Sequence, residues 1–88
     1  MADELKAAFE QAAEDARTKL PSSLPGKDKI ALYGLYKHAT EGVCKGERPG
    51  MFSQVARYKY DSWNNQKDKT TEEAMKEYVA LVDSLKEK

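Results

Sequence analysis

Apolar residues in this 88-residue chain recur at helical steps in four separate stretches and nowhere alternate as a half-buried strand would. Such a chain must bury helix against helix. Leu5, Ala8, Phe9, Ala12, Ala13 and Ala16 follow steps of three, four and seven, with charged residues between them, which predicts an amphipathic first helix of about four turns. The segment Pro21-Ser22-Ser23-Leu24-Pro25-Gly26 ends that periodicity, because proline lacks the donor a helix interior needs and disfavours helix in the residue before it. A second helix is expected to start near Pro25 or Gly26, with Leu32, Leu35 and Ala39 on its core stripe. Gly42, Gly46, Pro49 and Gly50 then interrupt any period from Glu41 to Phe52. Ser53 is placed to N-cap a third helix reaching Gln66, whose apolar face takes Phe52, Val55, Ala56, Tyr60 and Trp63. Thr70 and Glu73 form a Thr-x-x-Glu capping box, after which Ala74, Met75, Tyr78, Val79, Val82 and Leu85 mark the buried face of a fourth helix. The expectation is an all-α four-helix bundle with a long connection between helices 2 and 3, one domain over residues 1–88.

Basic and acidic side chains balance at 15 each, which argues against a protein that holds nucleic acid or a membrane surface through a general positive field. Their distribution is uneven. Residues 1–20 and 70–88 each carry a net −2, while residues 21–69 carry a net +4, so an anionic ligand held by the central elements would meet a complementary field. A lone cysteine, Cys44, excludes an internal disulfide and a thiolate metal cluster. His38, the one histidine, is a poor partner for Cys44 as base and nucleophile, because six residues of helix turn through about 600°. A solvated His38 and an inert or surface thiol are expected. Without a signal-like apolar run after Met1, or one approaching about 18 residues anywhere, the chain is expected to be soluble and cytoplasmic, with no stable membrane insertion.

The ligand-facing residues announce themselves by their placement. On helix two, Ile30, Lys37 and Thr40 cluster around Tyr33, while Tyr36 borders both this face and the core stripe. On helix three, Lys59 falls between Val55, Ala56 and Trp63, inside the apolar stripe, where a buried ammonium would need a partner anion. Cations and phenols from two helices could thus meet over one anionic, aromatic ligand. Tyr78, amid Met75, Val82 and Leu85, must find a partner for its hydroxyl or reach a wet ligand. Trp63 reads as a core anchor.

Four motifs in order, Leu32-Tyr33-Gly34-Leu35-Tyr36-Lys37-His38-Ala39-Thr40, Glu47-Arg48-Pro49-Gly50-Met51, Lys59-Tyr60-Asp61-Ser62-Trp63-Asn64 and Glu73-Ala74-Met75-Lys76-Glu77-Tyr78-Val79, resemble the acyl-CoA-binding proteins. The resemblance extends over nearly the whole chain from Phe9. It implies a small cytosolic carrier and pool former of long-chain acyl-CoA, monomeric, with no catalytic residues, no cofactor and no metal. By that similarity Lys37 and Lys59, helped by the Tyr33 hydroxyl, would hold the 3′-phosphate region of the adenosine. Tyr36 would stack on the adenine, Tyr78 would line the nucleotide and thioester side, and Arg17 stands where the family often has a basic contact. Ile30 and Val55 would meet the acyl chain.

Val55 stands where the family often carries a lysine, and Lys29 where it often carries an apolar residue, so the resemblance does not set the preferred acyl length. The alternative is a helical protein-interaction module without a small-molecule ligand, which would not require Lys59 on an apolar stripe. Single-strand nucleic-acid binding through Arg57-Tyr58-Lys59-Tyr60 is disfavoured, since a helix points those four side chains apart. No constellation with assignable catalytic roles is visible.

Overall fold

The computed structural model describes residues 2–21 and 23–86; Ser22, within the predicted break, and the terminal Glu87 and Lys88 lie outside them. Four helices follow in order: α1 (Ala2–Thr18), α2 (Gly26–Glu41), α3 (Gln54–Asn64) and α4 (Thr71–Lys86). Among the described residues no helix is long and apolar enough to cross a membrane. The predicted breaks stand. Pro25 precedes the first residue of α2, and Gly42 ends it at a φ of 81°, a conformation that glycine adopts without steric cost. The capping box forms as read: the Thr70 amide donates to Glu73 Oε1 at 2.8 Å, and the Glu73 amide donates to Thr70 Oγ1 at 3.0 Å. The Thr70 amide, followed by the Thr70 hydroxyl, holds the Glu73 carboxyl below its ordinary range. Ser53 occupies the cap position of α3, but its side chain makes no cap hydrogen bond.

Helix pairing decides where the site lies. α4 packs against both α1 and α2, whereas α3 packs against α2 alone. The core is correspondingly built from Phe9, Ala12, Leu35, Ala39, Ala74, Tyr78 and Val82, with Leu32, Met75, Val79 and Leu81 packed around it. α1 and α2 lean on α4 without closing on each other, which leaves a cleft between them. The aromatic rings bridge its floor: Phe9 stacks on Tyr36 at 5.6 Å between centroids and meets Tyr78 edge-on at 5.1 Å.

Three residues depart from their expected environments. His38 is buried, not solvated, because it lies one turn from Gly34 and Leu35 on the buried side of α2; its Nε2 donates to the Lys69 carbonyl oxygen at 2.6 Å. Asp15, at only 4% exposure, anchors α1 to the end of α4 by accepting from Lys86 at 2.9 Å and from Gln11 at 2.9 Å. The Lys86 ammonium, followed by the Gln11 amide, lowers the Asp15 carboxyl from 3.8 to about 2. The third departure is Lys59, which is exposed. Val55 and Ala56 beside it are exposed as well, and Phe52 is 96% exposed, since α3 has one helical neighbour and fully buries only Trp63.

Candidate functional site

Two depressions open between α1 and α2 on either side of the Tyr36 ring. One, of about 520 Å³, is walled by Phe9, Ala13 and Arg17 from α1 and by Tyr36, Ala39 and Thr40 from α2, with Met75 and Tyr78 from α4. The other, of about 460 Å³, shares Ala13, Arg17, Tyr36 and Tyr78 and adds Leu32, Tyr33 and Lys29, with Leu20, Pro21 and Leu24 of the connection. Tyr36 is 42% exposed and stands on Phe9, so one face of the phenol is supported by the core while the remainder stays open. Tyr78 is buried at 4% exposure, and its phenol is pushed up from the usual value by that burial first and by Tyr36 second. It therefore stays a neutral hydroxyl at physiological pH.

The cations arrange themselves differently from the sequence reading. Lys59 of α3 sits with its ammonium 5.3 Å from the ring centroid of Tyr33 on α2, and Lys37 of α2 sits 4.8 Å over the ring of Trp63 on α3. Tyr33 and Lys37 are one turn apart, as are Lys59 and Trp63, so the four side chains cross the α2–α3 seam as a quartet. Solvent and an aromatic face, not burial, surround the Lys59 charge. Lys37 also pairs with Glu41, whose hydrogen bond raises the ammonium above its ordinary value despite partial burial. That pair is half-open to solvent on the Glu41 side and contributes little stability. Arg17 pairs with Glu14 at the cleft rim, both side chains being exposed.

A separate apolar groove of about 680 Å³ runs between α2 and α3. Ile30 and Ala31 line one wall and Val55 and Tyr58 the other, with Ser62 and Asn65 beyond. The structure thus gathers Arg17, Tyr33, Tyr36 and Tyr78 at the α1–α2 cleft and Ile30 and Val55 at the groove, while Lys37 and Lys59 stand on the α2–α3 seam and line neither. Trp63 anchors that seam by donating its Nε1–H to the Gly42 carbonyl oxygen at 2.7 Å. Arg48 holds the long connection onto α3 through two hydrogen bonds to Asp61, at 2.9 and 2.7 Å. This pairing lowers the Asp61 carboxyl and raises the Arg48 guanidinium. The Tyr60 hydroxyl donates to the Gly46 carbonyl at 3.0 Å, a second tie of the same kind. Cys44 lies near the Tyr60 carbonyl at 4.0 Å, while His38 bonds to Lys69, and the two do not meet.

Phe9, the support of Tyr36, was missed as a site element because its spacing marks it only as core. Glu41 was missed as the partner of Lys37, although the spacing of four residues on one helix was a usable signal.

Comparison with known proteins agrees with the four-helix fold. A sequence model of the family described as "Acyl CoA binding protein" matches residues 6–82. The chain belongs to the acyl-CoA-binding protein family. It is 47% identical over 81 residues to an acyl-CoA-binding protein of Ricinus communis, covering 92% of this chain and 89% of that one. It is 46% identical over 77 residues to an acyl-CoA-binding protein of Saccharomyces cerevisiae, covering 88% and 87%. The crystal structure of Oryza sativa Acyl-CoA-Binding Protein 2 superposes with a TM-score of 0.94 at 44% identity, covering 98% of this chain and 92% of the rice chain. The family fold is thus the four-helix arrangement described above.

Proposed function

We propose that this chain binds long-chain acyl-CoA esters and carries them as a monomer in the cytoplasm, without catalysis and without a cofactor. The observation that carries this reading is the pairing of an aromatic cleft with an apolar groove on the two flanks of α2, with two cations on the α2–α3 seam. A nucleotide head joined to a hydrocarbon chain has the same division. In this assignment Lys59 and Lys37, with the Tyr33 hydroxyl, hold the 3′-phosphate. The open face of Tyr36 receives the adenine, with its other face already set on Phe9. The neutral Tyr78 hydroxyl and Arg17 face the nucleotide and thioester side. Ile30 and Val55 shed water as the chain enters the groove, each buried methylene contributing about 0.8 kcal/mol before ordering costs.

The phosphate role is tested by calorimetric titration of the parent and Lys59→Ala with a long-chain acyl-CoA and its 3′-dephospho ester. Loss of a charge-assisted contact should weaken binding of the intact ester by about tenfold or more. The dephospho ester should bind both proteins about equally. Unchanged affinity of Lys59→Ala for the intact ester would remove Lys59 from the site.

A further inference from the structure

Gly34 lies in the interior of α2, where glycine costs about 0.5–1 kcal/mol relative to alanine, and its backbone is ordinary helix, so no special φ requires it. Space does. A Cβ at this position would meet the Ser62 hydroxyl and would fall 2.6 Å from both the carbonyl carbon and oxygen of Ser62. Backbone atoms cannot rotate away as a side chain can, so any larger residue must push α3 off α2. The Ser62 hydroxyl fastens the same contact from the other side, donating to the Ile30 carbonyl oxygen at 2.7 Å. Ile30 and Ser62 both line the apolar groove, together with Val55 and Tyr58 one to two turns before Ser62. The Gly34–Ser62 approach is therefore the point at which the separation of the groove walls is set, and α3 has no second helix to hold it in place.

We propose that Gly34 and Ser62 determine acyl selectivity by clamping the α2–α3 groove to a width that suits an unbranched chain. This rests on the acyl-CoA reading and specifies which hydrocarbon that site prefers. Dispersion contacts fall off within fractions of an ångström, so walls spaced for a bare polymethylene chain exclude a methyl branch, and walls moved apart lose contact with the straight chain. Gly34 and Ser62 act here as positioning residues; neither needs to touch the ligand head.

The experiment compares hexadecanoyl-CoA with a methyl-branched ester of the same chain length, by calorimetry, in the parent, Gly34→Ala and Ser62→Thr. The parent should favour the straight chain. Gly34→Ala should shrink that preference by about tenfold, the lower end of the scale on which a hydrophobic pocket discriminates one methylene. Ser62→Thr adds a methyl group to the same contact while keeping a hydroxyl for Ile30, and should move the preference in the same direction by less. It also supplies the test if Gly34→Ala does not fold. Thermal unfolding, measured in parallel, separates loosened packing from altered selectivity, since a purely structural role would weaken both esters in proportion. A preference unchanged in the folded variants overturns the clamp and leaves the carrier reading intact. A parent that binds neither ester overturns both.

Discussion

The two flanks of α2 are built on opposite terms. On one side α4 packs against both α1 and α2, burying Ala74 and Val82 completely and fastening Lys86 to the buried carboxylate of Asp15. On the other side α3 touches only α2, fully buries only Trp63, and leaves Phe52, Val55 and Tyr58 more than half exposed. Similar apolar residue types therefore do different work. Most of those on α1 and α4 pack into the core, while Val55, Ala56 and Tyr58 on α3 stay exposed. The exposed face of α3 is held in position by polar ties, namely Arg48 to Asp61, Trp63 to Gly42 and Ser62 to Ile30. A helix positioned in this way can present apolar surface without burying it.

The contrast is broken most strongly at Val82. Removing its two methyl groups leaves a void where exposure is zero, and Val82→Ala should lower stability by about 2–3 kcal/mol in urea unfolding. A loss below about 1 kcal/mol would mean that the α1–α4 side is less tightly packed than the geometry shows. Tyr36 comes next, because it stands at the boundary between core and cleft. Tyr36→Ala should weaken acyl-CoA binding by about 1–3 kcal/mol, the range for a base stacked on an aromatic ring, and Tyr36→Phe should cost much less. Equal losses in the two variants would assign the contact to the hydroxyl instead.

Asp15 gives the closed side a pH dependence. Its folded pKa, about 2, lies below the ordinary 3.8, so its pairing stabilises the protein above about pH 4 and that contribution is lost as pH falls toward about 2. The stability difference between the parent and Asp15→Asn should be fully present at neutral pH and should close across that window. A difference that stays constant through the window would show that the carboxylate charge is not what matters. The smallest effect is expected at Phe52, where 96% exposure leaves little native contact to lose. Phe52→Ser should change stability by less than about 0.5 kcal/mol. A loss comparable to that of Val82→Ala would end the distinction between the two sides.

Local signals sufficed where the physics is local. The helix count, the proline and glycine breaks and the Thr70–Glu73 box depend on residues within one or two turns, and each is where its spacing placed it. Tyr36 on the border of two faces was legible for the same reason, since a helical wheel needs only the angle per residue. Lys59 shows where that reasoning stops. Its position among Val55, Ala56 and Trp63 was correctly read as an apolar stripe, but a stripe is buried only where another element covers it, and α2 covers Trp63 while Val55, Ala56 and Lys59 stay exposed.

His38 and Asp15 mark the converse. Both are polar residues that a periodic pattern assigns to solvent, and both are buried beside a distant partner, the Lys69 carbonyl bonded to His38 Nε2 across 31 residues and Lys86 bonded to Asp15 across 71. The sequence alone determined that four helices would form, where they would break, and which side chains would share a helix face, because backbone sterics and side-chain period act over a few residues. Only the tertiary structure decided which faces closed on each other, that Lys37 and Lys59 would rest on rings across the α2–α3 seam, and how near α3 could come to Gly34. Those outcomes depend on contacts between residues far apart in the chain, and no spacing within a single helix encodes them.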